Sequence, residues 1–223
     1  MTSPEQQHAQ RTQVVWVVIG VVIILAGVAA LVAAKVTGSD EGRTAVSFPG
    51  NGASAGTTLP RPEGALVPYD ATQDRDPAVG QQIPKVTGKD VDGKEMAIGP
   101  DGKAKVILFV AHWCPHCQRE VPLIADHLRD HPMPDDVELL TVSTAVKPGA
   151  QNWPPEEWLA REGWKAPVLA DDEASSAATM YGLSAFPFFV AVDADGKVVE
   201  RRSGELSTDE FDAAVEAART GRS

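Results

Sequence analysis

Cysteine is scarce in this chain: there are two in 223 residues, and they stand three positions apart, at Cys114 and Cys117. A disulfide framework of the small secreted kind is therefore excluded, because such scaffolds need several bridges spread along the chain. Aromatic residues make up 6% of the sequence, and basic residues number 20 against 31 acidic ones, for a formal net charge of -11. The first 35 residues carry a net charge of +1, so the remainder carries -12. So acidic a body argues against nucleic acid and anionic membrane surfaces as partners. No internal repeat is visible, and the length suits one core of ordinary size with extensions rather than two full domains.

Charged residues are absent from Val14 to Ala34, a run of 21 residues. At about 1.5 Å rise per residue, a helix of this length matches a hydrocarbon core of about 30 Å. A buried core helix would keep a polar stripe, which this run lacks. Val32 and Ala34 would suit a signal-peptide cleavage site, but the apolar region exceeds the roughly 7 to 15 residues of such peptides. The reading is an uncleaved, single-pass membrane anchor over 14–34, with residues 1–13 as a cytoplasmic tail. Arg11 on one flank and Lys35 and Arg43 on the other leave the charge rule for orientation nearly silent. Orientation rests instead on the short tail before the span and the bulk of chain after it, which puts the C-terminal portion in an extracytoplasmic compartment. Lys35 to about Gly80 is rich in Gly, Pro, Ser, Thr and Asp without period, so 35–78 is read as a flexible linker and 79–220 as the globular domain.

Within the domain, Asp92-Gly93 marks a turn between two strands in Lys85–Ile98. Lys105–Ala111 is too apolar to alternate and reads as a central strand covered on both faces. A helix is expected over Pro115–Asp130, then a strand over Val137–Ser143, a helix over Glu156–Glu162, a short strand at Val168-Leu169 and a helix over Ser175–Tyr181. A hairpin around Asp195-Gly196 joins Phe188–Asp193 to Lys197–Arg202, and Ser207–Arg219 closes the chain as a helix with Ser207 and Glu210 in a capping box. This alternation gives an α/β sandwich with a mixed central sheet.

Cys114-Pro115-His116-Cys117 falls where a buried strand meets a helix. Residues three apart on a helical turn are neighbours within the reach of a disulfide. Pro115 suits the first helical position, and Cys114 ahead of it faces the positive end of the helix, which stabilises a thiolate. Cys117 is carried one turn inward. The outer sulfur is expected to attack and the inner one to resolve, with His116 donating to the Cys114 thiolate and lowering its pKa. Cys114, Cys117, His127 and His131 also spell C-x2-C-x9-H-x3-H, near a zinc-finger spacing. An unbroken helix would hold Cys117 and His127 about 15 Å apart along its axis, too far for one ion, so no metal is expected. His127 and His131 are read as solvated helix-end residues.

The run Ile107-Leu108-Phe109-Val110-Ala111-His112-Trp113-Cys114-Pro115-His116-Cys117, Pro122 in the following helix, Ala166-Pro167-Val168-Leu169-Ala170-Asp171, Tyr181-Gly182-Leu183, Phe186-Pro187-Phe188 and Val192-Asp193-Ala194-Asp195-Gly196-Lys197-Val198 together resemble the thioredoxin superfamily, and within it the exported, membrane-anchored TlpA-like redoxins. The resemblance covers Val79 to Thr220 and implies a thioredoxin-like three-layer sandwich. It implies that Pro187 is the family's cis-proline, and that Trp113, Pro115, Phe186 and Pro187 meet an extended substrate beside the Cys114/Cys117 pair. Residues 147–167 match the helix-strand insertion of TlpA-like members; Trp153, Trp158 and Trp164 within it are read as packing residues. Thioredoxins bury an acid six residues before the first cysteine, where this chain has Leu108, so proton transfer to Cys117 must use water or another group. The segment before Cys114 lacks the Pro and Thr/Ser of peroxiredoxins.

The expected function is a thiol-disulfide oxidoreductase that exchanges disulfides with protein thiols, served by a redox partner protein and needing no cofactor beyond its cysteine pair. The CPHC sequence leans toward oxidation. A dedicated reductase, for example in cytochrome c maturation, and a redox-silent peptide-binding module are the alternatives.

Overall fold

The computed structural model describes residues 61–222. The expected span at 14–34 lies outside the described residues, and among those described no helix is long and apolar enough to cross a membrane. Seven strands and four helices follow in the order β1 (Val86–Lys89), β2 (Glu95–Ile98), β3 (Ala104–Val110), α1 (Pro115–Asp130), β4 (Val137–Ser143), α2 (Pro155–Arg161), β5 (Val168–Ala170), α3 (Ser176–Met180), β6 (Phe188–Val192), β7 (Val198–Ser203) and α4 (Thr208–Thr220).

The strands form one sheet in the order β2-β1-β5-β4-β3-β6-β7. Strands β3, β4 and β5 run parallel, and the β1/β2 and β6/β7 pairs close the two edges antiparallel. Every residue of the central β3 is buried. Val106, Leu108 and Val110 point into the apolar layer shared with Val121 and Ile124 of α1, Trp158 of α2 and Phe211 of α4, whereas Ile107 and Phe109 point to the opposite layer with Ala177 of α3 and Tyr181 just after it. Burial on both faces explains why this strand shows no polar alternation. The sheet between two helical layers is the mixed α/β, thioredoxin-like sandwich that the sequence implied. Ser207 caps α4 through a reciprocal box with Glu210, which satisfies backbone donors at both ends of the motif.

Residues 61–78, placed in the linker by composition, are instead part of this fold. Leu66 and Ala78 are buried in the second apolar layer, and the backbone N–H groups of Leu66 and Tyr69 donate to the carbonyls of Met180 and Gly182 at 2.8 Å. Arg201, fully buried on β7, donates to both Asp76 oxygens at 2.7 and 2.6 Å and to the carbonyls of Val67 and Tyr181. The segment escaped notice because it adds neither helix nor strand. Its apolar side chains dock singly and its backbone pairs with a turn, so no period marks it. Close approach at that turn requires glycine: Gly182 has φ +70°, and a Cβ there would lie 2.3 Å from the Val67 carbonyl oxygen.

Candidate active site

Strand β3 ends at Val110, and the chain turns through Ala111, His112 and Trp113 into α1. The Cys114 N–H donates to the Ala111 carbonyl at 3.0 Å, and Cys114 is the extended N-cap of α1 with Pro115 at the first position. No acidic residue lies in the first turn, so nothing there opposes the positive end of the helix. Both cysteines are free thiols; Cys114 keeps 6% of its surface and Cys117 none. Burial pushes the Cys117 thiol well above its ordinary range; the Ala111 backbone pulls it back, and the neighbouring Cys114 and Glu120 add to the rise. The inner sulfur is thus held as a thiol while the outer one retains access.

Trp113 is fixed on three sides. Its indole N–H donates to the Ala145 carbonyl at 2.7 Å, its ring meets Phe186 edge-on at 6.0 Å, and the Lys147 ammonium lies 3.4 Å from the ring centroid. The Phe186–Pro187 peptide bond is cis, and the Pro187 carbonyl accepts from the Gly204 N–H at 2.9 Å. Of the three tryptophans in the insertion, Trp158 and Trp164 are buried, whereas Trp153 stands 51% exposed.

His116 does not adopt the expected role. Its Nδ1 faces the Glu205 carboxylate at 2.5 Å and the Arg119 guanidinium at 2.9 Å, and among the described residues no hydrogen bond joins it to Cys114. His127 also differs from expectation. The His127 side chain is only 11% exposed; its Nε2 meets Asp212 at 2.8 Å, and its ring stacks on His131 at 4.5 Å and edge-on to Phe211. His127 ties α1 to α4 instead of standing in solvent, whereas His131 is exposed as expected. Helix α1 is unbroken across Pro122, which keeps His127 ten residues beyond Cys117.

Two site residues went unread in the sequence. Glu120 is fully buried one turn beyond Cys117, on the face that carries Val121 and Ile124 into the core. Its carboxylate accepts from the Leu206 N–H at 3.1 and 3.2 Å. Burial first, then the charges of Glu205 and Glu210, raise its carboxyl to about 7, against the pull of that hydrogen bond. A carboxyl in an apolar helical stripe three residues after a cysteine was the available signal. Leu108, where thioredoxins bury their acid, is fully enclosed, so the acid here approaches from the helix and not from the strand. The second is His112, also fully buried. Its Nε2 accepts the Lys147 N–H at 3.0 Å, so the proton sits on Nδ1, which donates to the Gln151 carbonyl at 2.8 Å. This neutral imidazole pins the loop that roofs Trp113, and no local pattern announces it.

A model of the Redoxin family matches residues 78–218. The chain belongs to the Redoxin family. It is 26% identical over 140 residues to the thiol-disulfide oxidoreductase ResA of Bacillus thuringiensis, covering 60% of this chain and 75% of that protein. It is 21% identical over 123 residues to the sporulation thiol-disulfide oxidoreductase A of Bacillus subtilis, covering 55% and 73%. Among solved structures, StoA from Bacillus subtilis superposes with a TM-score of 0.50 at 20% identity, over 62% of this chain and 98% of that one. The thioredoxin domain of a thiol-disulfide oxidoreductase from Bacteroides vulgatus does so with 0.51 at 22% identity, over 62% and 96%. This redoxin is a thioredoxin-like thiol-disulfide oxidoreductase of the TlpA-like kind.

Proposed function

We propose that this redoxin is a membrane-anchored, extracytoplasmic enzyme that exchanges disulfides with protein substrates through Cys114 and Cys117 and leans toward oxidation. The observation that carries the exchange chemistry is the arrangement at the start of α1: a cysteine at the helix N-cap that keeps 6% of its surface and a fully buried one a turn behind, beside a buried acid of raised pKa. In the oxidising direction, a substrate thiolate attacks Sγ of Cys114 in the Cys114–Cys117 disulfide, and Cys117 leaves as a thiolate. Glu120, protonated up to about pH 7, gives Cys117 its proton. A second substrate thiolate then attacks the substrate sulfur of the mixed disulfide and expels the Cys114 thiolate, so two electrons pass from substrate to enzyme. A redox partner protein must remove them. Reduction is the same sequence reversed. The cysteine pair is the sole redox group this chemistry requires.

Trp113, Pro115, Phe186 and Pro187 are assigned to substrate contact, on the strength of the Trp113–Phe186 packing and the cis bond at Pro187. The anchor and the orientation rest on the apolar run at 14–34 and on the large acidic portion that follows it. A protease added to intact cells should cut the domain; cutting that needs permeabilised cells would refute the orientation.

The oxidising lean rests on CPHC and on the helix terminus at Cys114. A reductase is the second reading, favoured by the hold of Glu205 on His116, which engages that side chain with a carboxylate and not with Cys114. Equilibration with glutathione buffers, read by Trp113 fluorescence, decides between them. A potential above the roughly -270 mV of thioredoxin supports the oxidant, and one at or below it supports the reductase.

A further inference from the structure

Three consecutive residues after β7 reach Pro187, the first turns of α1 and Glu120 around the cysteine pair. The Gly204 N–H donates to the Pro187 carbonyl, the Glu205 carboxylate receives His116 and Arg119, and the Leu206 N–H donates to Glu120. Gly204 and Leu206 make those bonds through backbone N–H groups; Gly204 suits its φ of +96°, and the Leu206 side chain is buried in the core. Glu205 contributes a charge, and it is neither a cap nor a core residue: its side chain is 34% exposed, while the capping of α4 is done by Ser207 and Glu210. Both side chains it binds, His116 and Arg119, lie on the first turns of α1, next to Cys114, and Arg119 is within electrostatic reach of that sulfur.

We infer that Glu205 is a positioning residue that sets the redox potential of the Cys114–Cys117 pair by holding His116 and Arg119 away from the Cys114 thiolate. This rests on the exchange chemistry proposed above. The geometry of His116 explains how. Its Nδ1 stands at hydrogen-bond distance from both Glu205 and Arg119, yet one nitrogen cannot donate to the first and accept from the second at once. Glu205 takes the proton side of that choice and also receives Nε–H and a terminal N–H from Arg119. With the carboxylate present, the Arg119 charge is spent on an ion pair. Without it, the guanidinium is released beside a thiolate that stabilises it. A stabilised thiolate favours the reduced pair and makes the protein a stronger oxidant. The other charges facing this turn do not replace Glu205: Glu210 caps α4 and meets Arg202, and Arg202 is also held by Glu200. Glu120 lies behind Leu206 and has no hydrogen bond to His116 or Arg119 among the described residues.

The test is Glu205→Gln in the full-length protein, with Glu216→Gln, which removes an equal charge paired to Arg219 on α4, as the control. Glutamine matches the shape of glutamate, and a thermal melt reports whether the fold is kept. Potentials come from glutathione equilibration, and the Cys114 thiolate fraction from the pH profile of iodoacetamide alkylation. Removing a partly screened charge at this range should raise the thiolate fraction roughly two- to fivefold, which at about 30 mV per tenfold makes the pair about 10 to 20 mV more oxidising. Glu216→Gln should leave both unchanged. In a His116→Ala, Arg119→Ala background, Glu205→Gln should lose most of its effect. Arg119→Gln alone, which removes the cation and keeps the acid, should shift the potential the other way and keeps the idea testable if Glu205→Gln folds poorly. Coincident wild-type and Glu205→Gln potentials, or a shift that survives whole in the double background, would overturn the inference while leaving the exchange reading intact. A wild-type protein that shows no redox transition would sink that reading itself.

Discussion

Replacing Glu120 with glutamine isolates the one buried carboxyl that this site places beside the resolving thiol. The carboxyl is raised from 4.5 to about 7, chiefly by burial. The folded protein therefore binds a proton that the unfolded chain has already lost between those two values, so stability is highest below about 4.5 and declines as pH rises through about 7. At about 1.4 kcal/mol per pH unit, a rise of that size corresponds to about 3 kcal/mol lost between acid and mildly alkaline pH. Glutamine cannot ionise, and its carbonyl still accepts from the Leu206 N–H. Urea unfolding of the reduced protein should accordingly give wild type and Glu120→Gln similar stability near pH 5, and at about pH 8 the variant should be more stable by about 2 to 3 kcal/mol. Function should move the opposite way. Release of Cys117 from the Cys114–Cys117 disulfide, as a substrate thiolate attacks Cys114 near pH 6, should slow by about 100-fold once its proton donor is gone, the low end of general acid-base effects. A variant whose stability differs from wild type by the same amount at both pH values would refute a raised, titrating Glu120. A variant more stable at about pH 8 but equally fast would keep the titration and remove the proton-transfer role.

Other substitutions test the parts that hold this site in place. Asp76→Ala should cost about 3 to 5 kcal/mol in chemical denaturation, because it leaves the fully buried Arg201 guanidinium without its counter-charge. Burial works to raise the Asp76 carboxyl, but hydrogen bonds from Arg201 and the Ala78 N–H outweigh it and hold the group below its ordinary 3.8; its contribution is thus complete above that value and lost as pH falls below it. Gly182→Ala should destabilise by about 2 kcal/mol or more, since φ +70° and the Val67 carbonyl leave no room for a methyl, and a melting temperature equal to wild type would contradict this. His112→Ala should cost about 2 to 4 kcal/mol and loosen the roof of Trp113, read as faster amide hydrogen exchange over residues 145–151; unchanged exchange would mean that the loop is held by other contacts.

The legible parts of this fold are those in which neighbours in sequence decide the outcome. The apolar run that became β3, the Cys114-Pro115 start of α1 and the Ser207/Glu210 box are local signals, and the structure follows them closely. The hairpins at Asp92-Gly93 and Asp195-Gly196 were readable for the same reason. What stayed hidden depends on residues that meet across the fold. Asp76 and Arg201 are 125 positions apart, so composition alone made the segment of Asp76 look like linker. Glu205 and His116 are 89 positions apart, and their contact redirects a histidine that the CPHC turn alone would aim at Cys114. His127 looked solvated because its helix ends nearby, whereas its surroundings are supplied by Phe211 and Asp212 of α4. Glu120 lies between these cases: its place in an apolar stripe was visible at helical spacing, but the size of its shift depends on the turn at 204–206.

In the proposed exchange Cys114 attacks and Cys117 resolves. Cys117→Ser removes the buried resolving sulfur and keeps the N-cap thiol. Incubated with a disulfide-bonded protein substrate, this variant should accumulate a covalent complex, visible on a non-reducing gel and released by dithiothreitol, with the link mapped to Cys114 by mass spectrometry. Cys114→Ser should trap nothing. Equal trapping by both variants, or by neither, would contradict the division of roles between the two sulfurs.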